Sequence, residues 1–182
     1  MNKLKSILIT TALIASTLPM MAQQKRVSPH ETISAVIDGA RVVVVYGRPY
    51  TKDPRSGAAR KIWGGLVPYG QPWRMGSDEA TTLLTQKSLE IGGKTIPAGA
   101  YTLYMLPDEN GTSKLVFSSA LGGWGIPVDT KHDVAQVDLT KETLAAPLDQ
   151  FVMAVSRNPS GGGLIKLSWE DTAYSVAFTI AK

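Results

Sequence analysis

The chain contains no cysteine, which excludes disulfides, thiolate metal ligation, a cysteine nucleophile and a lipid-modified N-terminal cysteine. A packed core has to supply the stability. Helix signals are also missing, because no stretch keeps apolar residues at the 3.6-residue period between recognisable caps. Phosphate-binding P-loops, GxGxxG turns and Gly-x-Ser-x-Gly elbows are absent as well, so no nucleotide or flavin cofactor is indicated. With two histidines in 182 residues there is no HExxH-type metal motif.

Long apolar runs are scarce too. The most apolar segment, Ile7 to Leu18, is shorter than the roughly 18 to 20 residues that span a bilayer. It follows Lys3 and Lys5 and precedes Pro19-Met20-Met21-Ala22, the order of a secretory signal peptide. We therefore expect residues 1–22 to be a signal peptide, residues 23–182 to form a single domain with no transmembrane segment, and the protein to be exported to the periplasm or beyond the cell. Leaving out Lys3 and Lys5 reduces the 19 basic residues to 17 against 15 acidic ones, a net charge of +2. So even a balance does not indicate nucleic-acid binding.

What the chain does have is strand patterning punctuated by 17 glycines and 11 prolines. Thr32 to Ile37 and Arg41 to Tyr46 flank Asp38-Gly39, a strong hairpin signal, and this hairpin is expected to be central. Further strands are expected at Thr81 to Thr85, Ser88 to Ile91, Thr95-Ile96, Ala100 to Leu106, Lys114 to Ser118, Val134 to Leu139 and Phe151 to Ser156. Leu164 to Trp169 and Tyr174 to Ile180 close the series, and Arg157 to Gly163, RNPSGGG, reads as a flexible connection. Around ten short strands without βαβ alternation argue for an all-β fold, an antiparallel β-sandwich, with a jelly roll or an open barrel as the alternatives.

The block from Tyr46 to Thr82, YGRPYTKDPRSGAARKIWGGLVPYGQPWRMGSDEATT, stands apart by setting Arg, Trp and Glu among turn residues. Loops held by Gly and Pro on a rigid scaffold are where binding side chains can be aimed. Between Gly47 and Arg74 six basic residues face one acid, Asp53, which suits an anionic ligand; Lys52, Arg55 and Lys61 also suit a simply solvated loop. Arg48, fixed between Gly47 and Pro49, could clamp an anion or pair with an internal acid such as Glu79. Trp73 and Arg74 could stack a sugar and hold an anion, or fill the core and staple the loop. Glu79 at a sheet rim could act as acid, base or ligand, and Trp124 in LGGWG could join an aromatic site.

His30, His132, Asp133 and Glu79 would make a divalent-metal site if the fold brought them together. The chemistry that follows has three forms. The preferred one is a noncatalytic exported binding or envelope-associated domain, with Arg48, Trp73, Arg74, Glu79 and Trp124 around a small anion, glycan or peptide. The second is an exported hydrolase, metal-assisted in one version, using Glu79, His30 and Asp133. The third is a purely structural brace.

The motifs SPHETISAVIDG, VVVVYGRPY, IWGGLVPYGQPWRMGSDEATT and GGKTIPAGAYTLYMLP, in this order and spacing, carry a resemblance from about Ser28 to Ile180. The chain resembles the bacterial domain of unknown function 2911 family. That resemblance implies an exported protein of Bacteroidetes-type bacteria and implies no particular activity.

Overall fold

The computed structural model describes residues 26–182. The expected signal peptide lies outside these residues. Ten strands follow in chain order: β1 (His30–Ile37), β2 (Ala40–Gly47), β3 (Thr81–Thr85), β4 (Leu89–Ile91), β5 (Lys94–Ile96), β6 (Gly99–Leu106), β7 (Lys114–Ser118), β8 (Asp133–Asp138), β9 (Thr140–Arg157) and β10 (Gly163–Ile180). One 3-10 turn, Thr130–His132, precedes β8. Every pairing is antiparallel, in a six-stranded sheet ordered β1-β2-β3-β6-β7-β8 and a four-stranded sheet ordered β5-β4-β10-β9. Two separate sheets with free edges make a sandwich, as expected, and not a closed barrel.

Alternation places the core. On β2 the residues Ala40, Val42, Val44 and Tyr46 are buried, while Arg41 and Val45 are exposed. Leu83, Leu103, Leu115 and Phe117 continue that inner face and meet Ile91, Ile165, Leu167, Trp169 and Phe178 from the other sheet. Burying a side chain of this size stabilises by about 1.5–3 kcal/mol, which is how a chain without disulfides keeps its fold. The Asp38-Gly39 hairpin is formed with both residues at positive φ, 46° and 76°, the geometry of a type I′ turn. It is not central: β1 is the edge strand and β2 alone lies inside the sheet.

The two last expected strands, Leu164 to Trp169 and Tyr174 to Ile180, are one strand. Ile165, Leu167 and Trp169 face the core at odd positions, and Tyr174, Val176 and Phe178 at even ones. Register shifts around Glu170, whose φ is 55°, account for the change of face. Inserting an odd number of residues flips every later side chain across the sheet, so a bulge reads in sequence like a break between strands. The partner strand β9 starts at Thr140, eleven residues before the expected Phe151, because this exposed first half pairs with β10 without burying an apolar face. The RNPSGGG connection is an ordered hairpin turn, held by Asn158 N–H to the Gly162 carbonyl at 3.0 Å and Gly161 N–H to the Asn158 carbonyl at 2.9 Å.

Candidate functional site

The block between β2 and β3 leaves the six-stranded sheet to reach β9, where Tyr50 pairs with Gln150, and returns beside β6, where Trp73 pairs with Met105; its first residues are tied down. Arg48 N–H donates to the Pro29 carbonyl, and Phe151 N–H on β9 donates to the Pro49 carbonyl. The Arg48 side chain pairs through Nη1 with Glu31 Oε2 at 3.1 Å and donates through Nε to the Phe151 carbonyl at 3.2 Å. Tyr46 donates its hydroxyl to the same Glu31 oxygen at 2.8 Å and accepts from Met153 N–H at 3.0 Å. Burial, ahead of the neighbouring Glu31 carboxylate, pushes the Tyr46 hydroxyl up to about 12. Arg48 thus joins β1, β2 and β9, and its internal acid is Glu31.

Further along, the block closes over a cavity of about 420 Å³. Pro49, Pro54, Pro68 and Pro72 stiffen its walls, and Leu66 and Ile126 add apolar surface. Trp73 and Trp169 both line it, stacked on each other with ring centroids 6.0 Å apart and planes 19° from parallel. Trp73 is set in place by reciprocal backbone hydrogen bonds with Met105, both 2.8 Å, which extend the six-stranded sheet past the end of β3. Its indole also packs edge-on against Trp63 and Phe151. Trp73, 7% exposed, is therefore core and cavity wall at once.

The polar lining comes from Ser28, Arg60, Arg74 and Ser77. Among the described residues no carboxylate lines the cavity. Three buried polar atoms on its lining residues, Arg60 Nε, Ser77 Oγ and Trp169 Nε1, have no hydrogen-bond partner among the described residues. These atoms have almost no accessible surface, Trp169 is wholly buried and Ser77 Oγ packs against Gly47, so they lie behind the lining. Arg60 is held in place by Nη2, which donates to the Tyr50 carbonyl, leaving Nε unused.

The backbone that presents Ser77 is constrained on both sides. Met75 and Asp78 take positive φ, 56° and 63°, and Thr81 Oγ1 ties the Met75 carbonyl at 2.7 Å. Gly47 and Gly76 lie against each other: a Cβ on Gly47 would stand 2.2 Å from the Ser77 carbonyl oxygen, and one on Gly76 2.8 Å from the Gly47 carbonyl oxygen. Strain of this kind persists where surrounding packing enforces it.

The remaining expected site residues take separate positions. Arg74 lines the cavity, donates Nη1 to the Trp124 carbonyl at 3.1 Å and sits 5.6 Å from the Trp124 ring centroid. Trp124 itself is 56% exposed and lines a smaller neighbouring hollow of about 160 Å³. Glu79 pairs with Arg26, and His30 Nε2 lies 3.0 Å from Asp78 Oδ2 and 3.6 Å from Glu79 Oε2. These contacts pin residues 26–30, so that Ser28 forms part of the cavity rim.

His132 is elsewhere, 3.6 Å from Asp129, and Asp133 accepts the Tyr104 hydroxyl at 2.7 Å. Burial and that carboxylate raise the Tyr104 pKa above its ordinary value. Among the described residues no three His, Asp or Glu side chains are disposed to hold one metal ion.

The structure thus brings Trp73 and Arg74 together at the cavity, places Arg48 in a brace, and sets Glu79 and Trp124 at its flanks. Sequence reading missed Arg60, Ser77 and Trp169 as a group. Arg60 was visible as one cation in a basic loop, but Trp169 lies 96 residues from Trp73 in a strand whose bulge hid its facing.

No curated protein and no solved structure matches the chain. A family model described as a protein of unknown function, DUF2911, matches residues 28–178, which include every strand but the last two residues of β10, and the whole cavity lining. The chain belongs to the DUF2911 family.

Proposed function

We propose that this protein is an exported binding domain that holds a small anionic ligand in the cavity beneath the Tyr46 to Thr82 block. The observation that carries this reading is the pair of arginines, Arg60 and Arg74, that line the cavity with Ser28 and Ser77 and meet no lining carboxylate among the described residues. A cavity of about 420 Å³ lies within the range of about 300–1,000 Å³ of small-molecule sites, and its apolar walls with few polar groups follow their usual composition. The Trp73 and Trp169 stack gives a rigid aromatic wall of the kind that also accepts sugars and side chains. A hydrolase has less support, since Glu79 is engaged by Arg26 and His30, and Asp133 by Tyr104.

Thermal unfolding of the protein against a panel of organic anions, glycans and peptides, with neutral analogues alongside, tests the reading. A ligand specific for the native state at 100 times its Kd adds about 2.7 kcal/mol and raises the melting temperature measurably. The expected result is a dose-dependent rise with anionic compounds that is lost in Arg60→Ala refolded to the same circular dichroism spectrum. A flat response across the panel overturns it.

A further inference from the structure

One loop carries apolar side chains that the core does not use. Of the nine large apolar side chains left exposed among the described residues, three fall within six positions: Leu121 at 53%, Trp124 at 56% and Ile126 at 45%. Apolar residues scattered singly are ordinary on a surface, but a cluster marks a place where something docks. The loop is also held in place. Ala80 N–H donates to the Gly123 carbonyl at 3.3 Å and Arg74 Nη1 to the Trp124 carbonyl at 3.1 Å, so the backbone is clamped at the indole. Gly125, at φ 82°, lets it press close, since a Cβ there would stand 3.0 Å from Arg74 Cβ and 3.1 Å from Ala80 Cβ. A side chain fixed in advance loses little freedom on binding.

Trp124 lines the hollow of about 160 Å³, whose polar lining is Thr102, Tyr104, Ser118 and Asp129. The three hydroxyls are already engaged, Thr102 by the Ala120 carbonyl, Tyr104 by Asp133 and Ser118 by the His132 carbonyl. Asp129 is different. Its side chain is 56% exposed and is the only charged one on this lining among the described residues. It accepts from Lys131 N–H at 3.1 Å and lies 3.6 Å from His132 Nε2, which leaves a carboxylate acceptor capacity to spare. Arg74 covers one face of the Trp124 ring, and more than half of that residue stays open to solvent. The accessible groups are thus an indole face and a carboxylate, five residues apart on one loop around a hollow small enough to keep them close.

Those two groups exclude as well as select. A carboxylate without a lining cation repels anions, so the hollow and the arginine cavity take different ligands, although Ile126 lines both. Anionic lipid is disfavoured on the same ground. A cationic ligand meets Arg74, whose guanidinium already lies 5.6 Å from the indole centroid. What remains is a neutral ligand with hydroxyl donors for Asp129 and a flat C–H face for Trp124. A pyranose with equatorial hydroxyls is such a molecule, polar at its rim and apolar on its faces. The hollow is smaller than the roughly 300–1,000 Å³ of an ordinary small-molecule site, so it suits one unit of a longer molecule. We infer that the loop from Leu121 to Asp129 is a second site, which binds a neutral glycan chain by stacking one gluco-configured pyranose on Trp124 and receiving its hydroxyls on Asp129.

Titration calorimetry of the protein with cellotetraose, chitotetraose and maltotetraose, alongside tetramethylammonium and sedimentation with phosphatidylcholine and phosphatidylglycerol vesicles, tests this. At least one tetrasaccharide should bind saturably, with an affinity that changes less than about twofold between about 50 and 500 mM salt, as a neutral ligand requires. Trp124→Ala should weaken it about tenfold or more with the melting temperature nearly unchanged, because the indole is exposed. Asp129→Asn, which keeps an acceptor for Lys131 N–H and loses the charge, should weaken it about threefold or more. Tetrasaccharide binding that survives Trp124→Ala overturns the site, and binding indifferent to Asp129→Asn overturns the role of the carboxylate. Vesicle binding lost in Trp124→Ala, with no tetrasaccharide bound, assigns the loop to lipid and overturns the glycan. Tighter binding of tetramethylammonium than of any tetrasaccharide overturns the neutral class. Silence of all three tetrasaccharides overturns the inference and leaves the cavity reading to be judged on its anions.

Discussion

Two arginines twelve residues apart in the same loop do opposite things. Around Arg48 polar groups close on one another: guanidinium on Glu31 and the Phe151 carbonyl, Tyr46 on Glu31, and Gln150 Nε2 back on the Arg48 carbonyl. Around Arg60 fewer contacts close: Nη2 donates to the Tyr50 carbonyl, Nε has no partner among the described residues, and the residue lines the cavity with Arg74. A closed network rigidifies a junction, and cations on a cavity wall without a carboxylate beside them leave room for an anion. Composition cannot distinguish the two ends; hydrogen-bond completion does.

The most severe way to probe the contrast removes the residue that serves both ends. Trp73→Ala should destabilise by about 3–5 kcal/mol in denaturant titrations, because a buried indole packed on Trp63, Phe151 and Trp169 is lost, and it should abolish binding in the cavity. A smaller loss that spared binding would show that the cavity wall does not depend on the stack. Arg48→Ala comes next. With its Glu31 pair partly exposed, about 1–2 kcal/mol should be lost, and the Kd of any cavity ligand should stay within about twofold. A large fall in affinity would merge the two ends into one site.

Alkaline titration separates them by pH. Tyr46 has its pKa raised to about 12 against 10.0 for the free side chain, so the native state holds that proton more tightly than the unfolded chain. Its contribution is complete below about pH 10 and is lost as pH rises from there through about 12. The melting temperature should fall across that window, and Tyr46→Phe should flatten part of the slope. An unchanged slope would place the alkaline sensitivity elsewhere, with Tyr104 as the next group to test, since its pKa is raised too. The smallest stability effect is expected at the unsaturated end, where Ser77→Ala should move unfolding by no more than about 0.5 kcal/mol. A larger loss would mean that Ser77 has a structural partner.

Much of the sandwich was legible because alternation is a local signal. VVVVYG on β2 and YTLYML on β6 read directly as strands, and the bounds of β3 and β7 agree residue for residue. The late strands were misread where a local rule met a nonlocal fact: Glu170 looks like a turn residue but forms a bulge inside β10. The exposed half of β9 has no apolar face to announce it. For the site, the loop composition correctly marked the neighbourhood and picked out Trp73 and Arg74. It offered Glu79 as the partner of Arg48, whereas strand pairing brings Glu31, opposite Tyr46 across the β1–β2 ladder, to that guanidinium. Gly47 and Gly76 are explained only by the contact of two backbones 29 residues apart. Trp169 joins the cavity through sheet packing, for which no spacing rule exists.

The indole N–H signals of the four tryptophans, followed by heteronuclear NMR during titration with an organic anion that raises the melting temperature, test the central claim most directly. The Trp73 signal should move strongly as a ligand settles against the cavity wall, while Trp63, whose Nε1 donates to the Trp169 carbonyl at 3.3 Å, should move little. Movement confined to the exposed Trp124, with Trp73 unchanged at saturation, would contradict a ligand site in the cavity.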